Sequence, residues 1–192
     1  EPEVEQEPEA DSEAAGEIAE DDVTDVAVNK HQLQSANQQL KHLSRTDRLT
    51  GLNNRGHWEE ELRREYSRHR RYGSMAALVI FDIDHFKKVN DTYGHGGGDQ
   101  LLQTVAERLG GCVRDTDTVA RLGGDEFVVL LESIIDAEDA QRVVAKIRDA
   151  FEAPLPIAGH SLEIGMSIGI ALYPEDGEVE AQLLKQADER MY

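Results

Sequence analysis

Residues Arg121-Leu122-Gly123-Gly124-Asp125-Glu126-Phe127-Val128-Val129-Leu130-Leu131 set two glycines and two adjacent carboxylates between apolar runs. That order predicts a β-hairpin, strands 118–122 and 126–131, with an acidic and sterically open tip. Glycines admit close approach of a polyanion to the backbone. Carboxylates repel a bare phosphate, but not a phosphate carried with Mg²⁺. Such a tip calls for a second metal-holding carboxylate. Residues 76–81 form a continuous apolar run, expected to be a buried strand, and it ends in Asp82 and Asp84. Taken alone, Asp82 fits a helix cap or a salt-bridge partner as well as a ligand. Beside the Gly-Gly-acid-acid hairpin it reads as a partner of Asp125, the pair holding one or two Mg²⁺ ions against nucleotide phosphates.

Charge is distributed unevenly. Residues 1–29 hold twelve acidic side chains and no Lys or Arg, so of the net charge of −19 only −7 belongs to the remainder. A like-charged stretch with few large apolar residues predicts a disordered acidic tail over 1–22. The acidity argues against a nucleic-acid surface, which needs clustered Lys and Arg. Cys112 is the single cysteine, which excludes an intrachain disulfide and fits a reducing cytosol. No run of about 18 apolar residues exists, so no membrane contact is expected from this segment. The first residue is Glu1 rather than Met, so the chain reads as a piece of a longer protein. Cytoplasmic placement is expected, with any membrane anchor in the missing N-terminal part.

Residues 23–45 change character. Val26, Leu33 and Leu40 fall seven apart, with Asn29, Ala36 and Leu43 at the intervening position. This is a short heptad seam, compatible with a dimeric coiled coil or with one amphipathic helix packed on its own domain. Residues 47–55 are turn-rich. Residues 56–71 predict a helix with Trp58, Leu62 and Tyr66 on one face. A short helix is expected over 85–90, a break over Gly94–Gly98, and a helix from Asp99 to about Leu109. Residues 136–152 predict a helix with Val143, Val144, Ile147 and Phe151 inward. Strand signals follow over 161–173, then a helix over 178–192. The order predicts an α/β (α+β) sandwich with a central mixed, mainly antiparallel five-stranded sheet flanked by helices, like a polymerase palm.

Several blocks then occur in order: DRLTGLNNR over 47–55, FDIDHFKKVNDTYGH over 81–95, Gly98-Asp99, RLGGDEF over 121–127, SIGI over 167–170 and ADERMY over 187–192. Over 46–192 the chain resembles the catalytic domain of GGDEF-family diguanylate cyclases. The resemblance implies condensation of two GTP molecules into cyclic di-GMP with release of two pyrophosphates, using Mg²⁺ or Mn²⁺. It implies metal ligation by Asp82, Asp125 and the Ile83 carbonyl, with Asp125 or Glu126 as base for the 3′-hydroxyl. Phe86 and Lys87 would lie beside the phosphates, and Gly123 and Gly124 would leave room for substrate. Asn90 and Asp99 match the guanine-reading positions. A carboxylate accepts from guanine N1–H and the exocyclic amine but faces an acceptor in adenine. His95 fits a ribose or base contact, or a structural loop cap. Arg114 and Asp117 fit the family's Arg-x-x-Asp site for product inhibition, and also a surface ion pair. Each site would hold one GTP, so a homodimer is implied, with the 26–43 seam as its driver. Family members continue past the last helix with Lys and Arg that contact phosphate, whereas this chain stops at Tyr192.

The alternative is a catalytically inactive module that binds GTP or cyclic di-GMP as a regulatory receptor. Such modules lose the hairpin carboxylates, but Asp125 and Glu126 are both present here. A palm-type polymerase is disfavoured by the lack of a basic groove and by the Asn90/Asp99 pair.

Overall fold

The computed structural model describes residues 45–191. The acidic stretch and the heptad seam expected before Arg45 lie outside the described residues. The elements run β1 (Asn53–Asn54), α1 (Arg55–Tyr72), β2 (Met75–Ile83), α2 (Phe86–Cys112), β3 (Thr118–Gly123), β4 (Glu126–Ile134), α3 (Ala137–Glu152), β5 (Leu155–Ile157), β6 (His160–Leu162), β7 (Met166–Tyr173) and α4 (Glu180–Glu189). Five strands form one sheet in the order β1-β3-β4-β2-β7. Every pairing is antiparallel except the two-residue β1 against β3. The expected mixed, mainly antiparallel five-stranded sheet is therefore present. The small β5–β6 hairpin was not anticipated, and it splits the strand signals of 161–173 into two elements.

β2 lies in the interior of the sheet, which explains its unbroken apolar run. Its alternation sorts residues into two cores. Ala77, Val79, Phe81 and Ile83 join α2 (Leu101, Leu102, Val105, Leu109) and α3 (Ala140, Val144, Ile147, Phe151). Ala76, Leu78 and Ile80 join α1 (Trp58, Leu62) and α4 (Leu183, Ala187). The sheet is thus sandwiched between two helix pairs, and Asp82, next in the even series, belongs to the α1/α4 side.

One local expectation is corrected and two are extended. Tyr66 packs, half-buried, on the same core as Trp58 and Leu62, as expected, and Glu65 beside it is buried as well, at 2% exposure. The Gly94–Gly98 break is confined to Gly94, whose φ of 72° and ψ of 173° kink α2. Gly96, Gly97 and Gly98 are helical, and two of them serve packing. A Cβ at Gly97 would fall 2.5 Å from Tyr93 Cβ, and one at Gly98 would strike the Asn90 carboxamide and approach Phe86 Cζ to 3.3 Å. The halves of α2 meet closely there because no side chain intervenes. On α3, Val143 packs partly buried with Val144, Ile147 and Phe151, and Ala140 joins them as a fully buried member.

Gly169 on β7 lies under α4, and a Cβ there would overlap the Ala187 carbonyl. Arg190 then clamps the end of α4: it donates to Asp176 Oδ1 at 2.6 Å, to Asp176 Oδ2 at 2.6 Å and to the Ile170 carbonyl at 3.2 Å. Gly169→Ala is expected to push α4 off the sheet and to destabilise the domain by about 1–3 kcal/mol, the usual cost of overpacking. Urea unfolding of parent and variant measures this, and an unchanged midpoint contradicts the close packing.

Candidate active site

Asp82, near the end of β2, lies directly opposite Glu126 on β4 and Ser167 on β7. Like charges directly opposite each other weaken a sheet. Burial first, then the charges of Asp125, Glu126, Asp84 and Asp188, raise the Asp82 carboxyl above its ordinary value. The expected partners Asp82, Asp125 and Glu126 are therefore brought together. Ile83, whose carbonyl was the third expected ligand, is the buried last residue of β2. Among the described residues no group of three or more His, Cys, Asp or Glu side chains forms a ready-made metal cage. The donor set is nevertheless hard carboxylate oxygen, the kind Mg²⁺ accepts while drawing its other ligands from phosphate and water.

Asp84 takes another role. Ser167 Oγ donates to its Oδ1 at 2.7 Å, its own N–H donates to the Gly165 carbonyl at 3.0 Å, and a Cβ at Gly165 would collide with its carboxylate. Asp84 is thereby tied to β7, and Asp82 is the carboxylate left at the cleft.

That cleft, of about 480 Å³, opens on the α1/α4 side and is lined by Asp82, Glu126, Asp188, Arg55, Lys185 and Leu122 among others. Arg55, Lys185 and Asp188 were missed in the sequence. They stand on the first turn of α1 and on α4, about 130 residues apart, and only the fold joins them. Lys185 also pairs with Glu189 at 3.6 Å.

The hairpin tip is held in place. Gly123 (φ 149°) and Gly124 (φ 55°) take conformations that disfavour a Cβ. Arg121 donates twice to the Gly124 carbonyl, at 2.9 and 2.6 Å, and once to Asp47 Oδ1 at 3.2 Å. Asp47 in turn accepts from the Thr50 amide (2.9 Å) and hydroxyl (2.7 Å). Burial raises the Asp47 carboxyl, but the Thr50 and Arg121 hydrogen bonds outweigh it and hold its pKa below the ordinary value. The 47–55 block is thus a brace for the tip.

Phe86, Lys87, Asn90, His95 and Asp99 all fall on α2. Phe86 packs partly against the α2/α3 core, Lys87 and His95 are exposed, and Asn90 lies against Gly98, the neighbour of exposed Asp99. The kink therefore gathers the two expected base-reading positions. Arg114 and Asp117 stand in the turn before β3, at the opposite end of that strand from Gly123. Six residues of strand separate them from the tip, roughly 20 Å. Asp117 accepts from the Arg114 N–H at 2.9 Å and the Glu132 N–H at 3.3 Å, while the exposed Arg114 lies on the surface.

Because the folded state raises the Asp82 pKa, folding is favoured by its protonated form at low pH. That contribution is lost as pH rises through the raised value. Asp82→Asn is therefore expected to raise the Tm of the ligand-free domain at pH 7, on a scale of about 2–4 °C per kcal/mol for a domain this size. The gain should vanish at pH 3; a lower Tm at pH 7 overturns the repulsion argument.

Residues 44–192 match the family described as diguanylate cyclase, GGDEF domain. Among curated relatives, the diguanylate cyclase TpbB of Pseudomonas aeruginosa is 40% identical over 161 residues, covering 83% of this chain and 37% of TpbB. A solved TpbB fragment comprising only the GGDEF domain superposes with a TM-score of 0.72, covering 74% of this chain and 84% of that one at 40% identity. The cyclic di-GMP phosphodiesterase NbdA of the same organism is 41% identical over 160 residues, 82% of this chain and 20% of NbdA. The coiled coil and GGDEF domain of DgcB from Caulobacter crescentus, solved in complex with c-di-GMP, gives a TM-score of 0.68 at 27% identity, covering 89% and 91% of the two chains. The chain thus spans between a fifth and just over a third of the curated relatives' length. With the acidic hairpin, the opposed Asp82 and the kinked α2 in one fold, the chain belongs to the GGDEF, diguanylate cyclase domain family.

Proposed function

We propose that this domain condenses two GTP molecules into cyclic di-GMP and two pyrophosphates, with a divalent cation. The observation that carries the reading is the placement of Asp82 opposite Glu126, an arrangement that costs stability unless a cation is to be bound. Asp82, Asp125 and the Ile83 carbonyl are the proposed holders of Mg²⁺ or Mn²⁺. The cation supplies charge neutralisation at the reacting phosphates when bound. Asp125, or Glu126 beside it, accepts the proton of the 3′-hydroxyl as that oxygen attacks the α-phosphorus of the other GTP. The bond to pyrophosphate breaks in the same displacement. The first N–H groups of α2, at Phe86 and Lys87, stand next to the end of β2 and suit a phosphate. Arg55 and Lys185 add cationic side chains to the cleft wall. Asn90 and Asp99 read guanine, with His95 alongside, and Gly123 and Gly124, having no side chains, leave the substrate space.

One domain offers one such site, so two copies must face each other to close the ring. Arg114 and Asp117 are proposed as the binding site for product. Their separation from the tip makes inhibition there independent of GTP occupancy. The relative DgcB carries c-di-GMP in its solved complex, which supports product recognition by a domain of this fold.

Incubation with GTP and Mg²⁺, followed by chromatography, is expected to yield cyclic di-GMP. Asp125→Ala should abolish it with unchanged circular dichroism, and Asp99→Ala should narrow the preference for GTP over ATP. GTP binding without product, in the parent, would instead favour the receptor reading.

Initial rates measured against added cyclic di-GMP at several GTP concentrations test the second site. Arg114→Ala should need about tenfold or more product for half inhibition, the loss of one charge-assisted contact, while keeping its uninhibited rate. Inhibition that disappears at high GTP, or a variant inhibited like the parent, reduces Arg114 and Asp117 to a surface turn.

A further inference from the structure

Glu65 has no part in the chemistry above, yet it is 98% shielded between α1 and the sheet. Its neighbours bear on the turn at Arg114–Asp117. Arg68, one turn along α1, contacts Glu65 and donates to Glu132 Oε2 on β4 at 2.7 Å. Thr118 Oγ1, on β3, lies 3.5 Å from Glu132 Oε1, and the Glu132 amide donates to Asp117 Oδ1 at 3.3 Å. A continuous polar path therefore runs from α1 through β4 to the carboxylate that organises the turn.

Charge counting decides the state of this cluster. Two carboxyls, Glu65 buried and Glu132 largely covered, face one partly exposed guanidinium, so the arrangement of lowest cost carries one proton between them. Arg68 contacts both carboxyls, and one guanidinium balances one negative charge; Glu65, the more deeply buried of the two acids, is the costlier to ionise. We propose that Glu65 and Glu132 share one proton and act as a proton-responsive brace between α1 and the Arg114–Asp117 turn. Loss of the proton leaves two carboxylates against one cation. Glu132 then withdraws, and its N–H loosens from Asp117.

The working range follows from the surroundings of Glu65. Burial, then the Glu132 charge, push its pKa up to about 7, with Glu61 adding to the rise and Arg68 opposing it. Because the folded value is raised, the brace is complete at low pH and is lost as pH climbs through about 7. Where the turn binds product, affinity there becomes pH-dependent; that consequence alone rests on the proposed function.

Nuclear magnetic resonance on the whole chain tests the brace without nucleotide. Between pH 5 and 9 the Glu65 carboxyl carbon should titrate with a midpoint near 7, and the Glu132 and Arg114 amide resonances should move with the same midpoint. In Glu65→Gln, which mimics the protonated acid, both amides should hold their low-pH positions throughout. A Glu65 midpoint at the ordinary carboxylate value overturns the shared proton, and that measurement needs only the parent. Amides that stay still while Glu65 titrates, or that titrate equally in Glu65→Gln, overturn the coupling. Failure to bind cyclic di-GMP at any pH would count against the inhibitory site and leave these readouts intact.

Discussion

Burial of β2 on both faces is the constraint on which the rest of the molecule depends. A strand paired on both edges and covered on both sides has no tolerance for slippage, because a shift of one residue would exchange its two apolar sets. Its register against β4 and β7 is therefore rigid, and that register fixes the position of Asp82. The side chain emerges where the strand leaves its cover, on the face shared with α1 and α4. An apolar core that accepts no adjustment thus becomes a ruler for a polar site.

The arrangement at the strand end costs stability. Asp82 faces Glu126 across the ladder, with Asp125 and Asp188 nearby, and its carboxyl is harder to ionise as a result. Such a cost persists in folded proteins where a site requires it. Arg55 and Lys185 line the cleft on the α1/α4 side, whereas Asn90 and Asp99 are held by the kinked α2, whose apolar face packs on the other side of the sheet.

Polar contacts hold the flexible pieces to this frame. The tip has two glycines and would wander by itself, but Arg121 ties its carbonyl to Asp47, from a block whose sequence signalled only turns. Asp117 gathers two backbone amides and so shapes the turn before β3. Glu65 is the least expected member. It is a charged residue on a buried helix face, in contact with Arg68, which also holds Glu132, 67 residues further along the chain.

Local patterns in the sequence determined the elements, the hairpin and the identity of the acidic residues. Apolar periodicity and glycine pairs report on structure within a few residues. The blocks from Asp47 onward, taken together, carried the family resemblance. Asp82 was already singled out in the sequence as the partner of Asp125; tertiary structure decided what becomes of Asp84, which Ser167 and Gly165 capture. It also decided that Gly96–Gly98 continue a helix, since glycines that permit close packing look the same in sequence as glycines that break one. Arg55, Lys185, Glu65 and Glu132 acquire their surroundings from residues distant in the chain, and a side chain's solvation and charge are set by what folds against it.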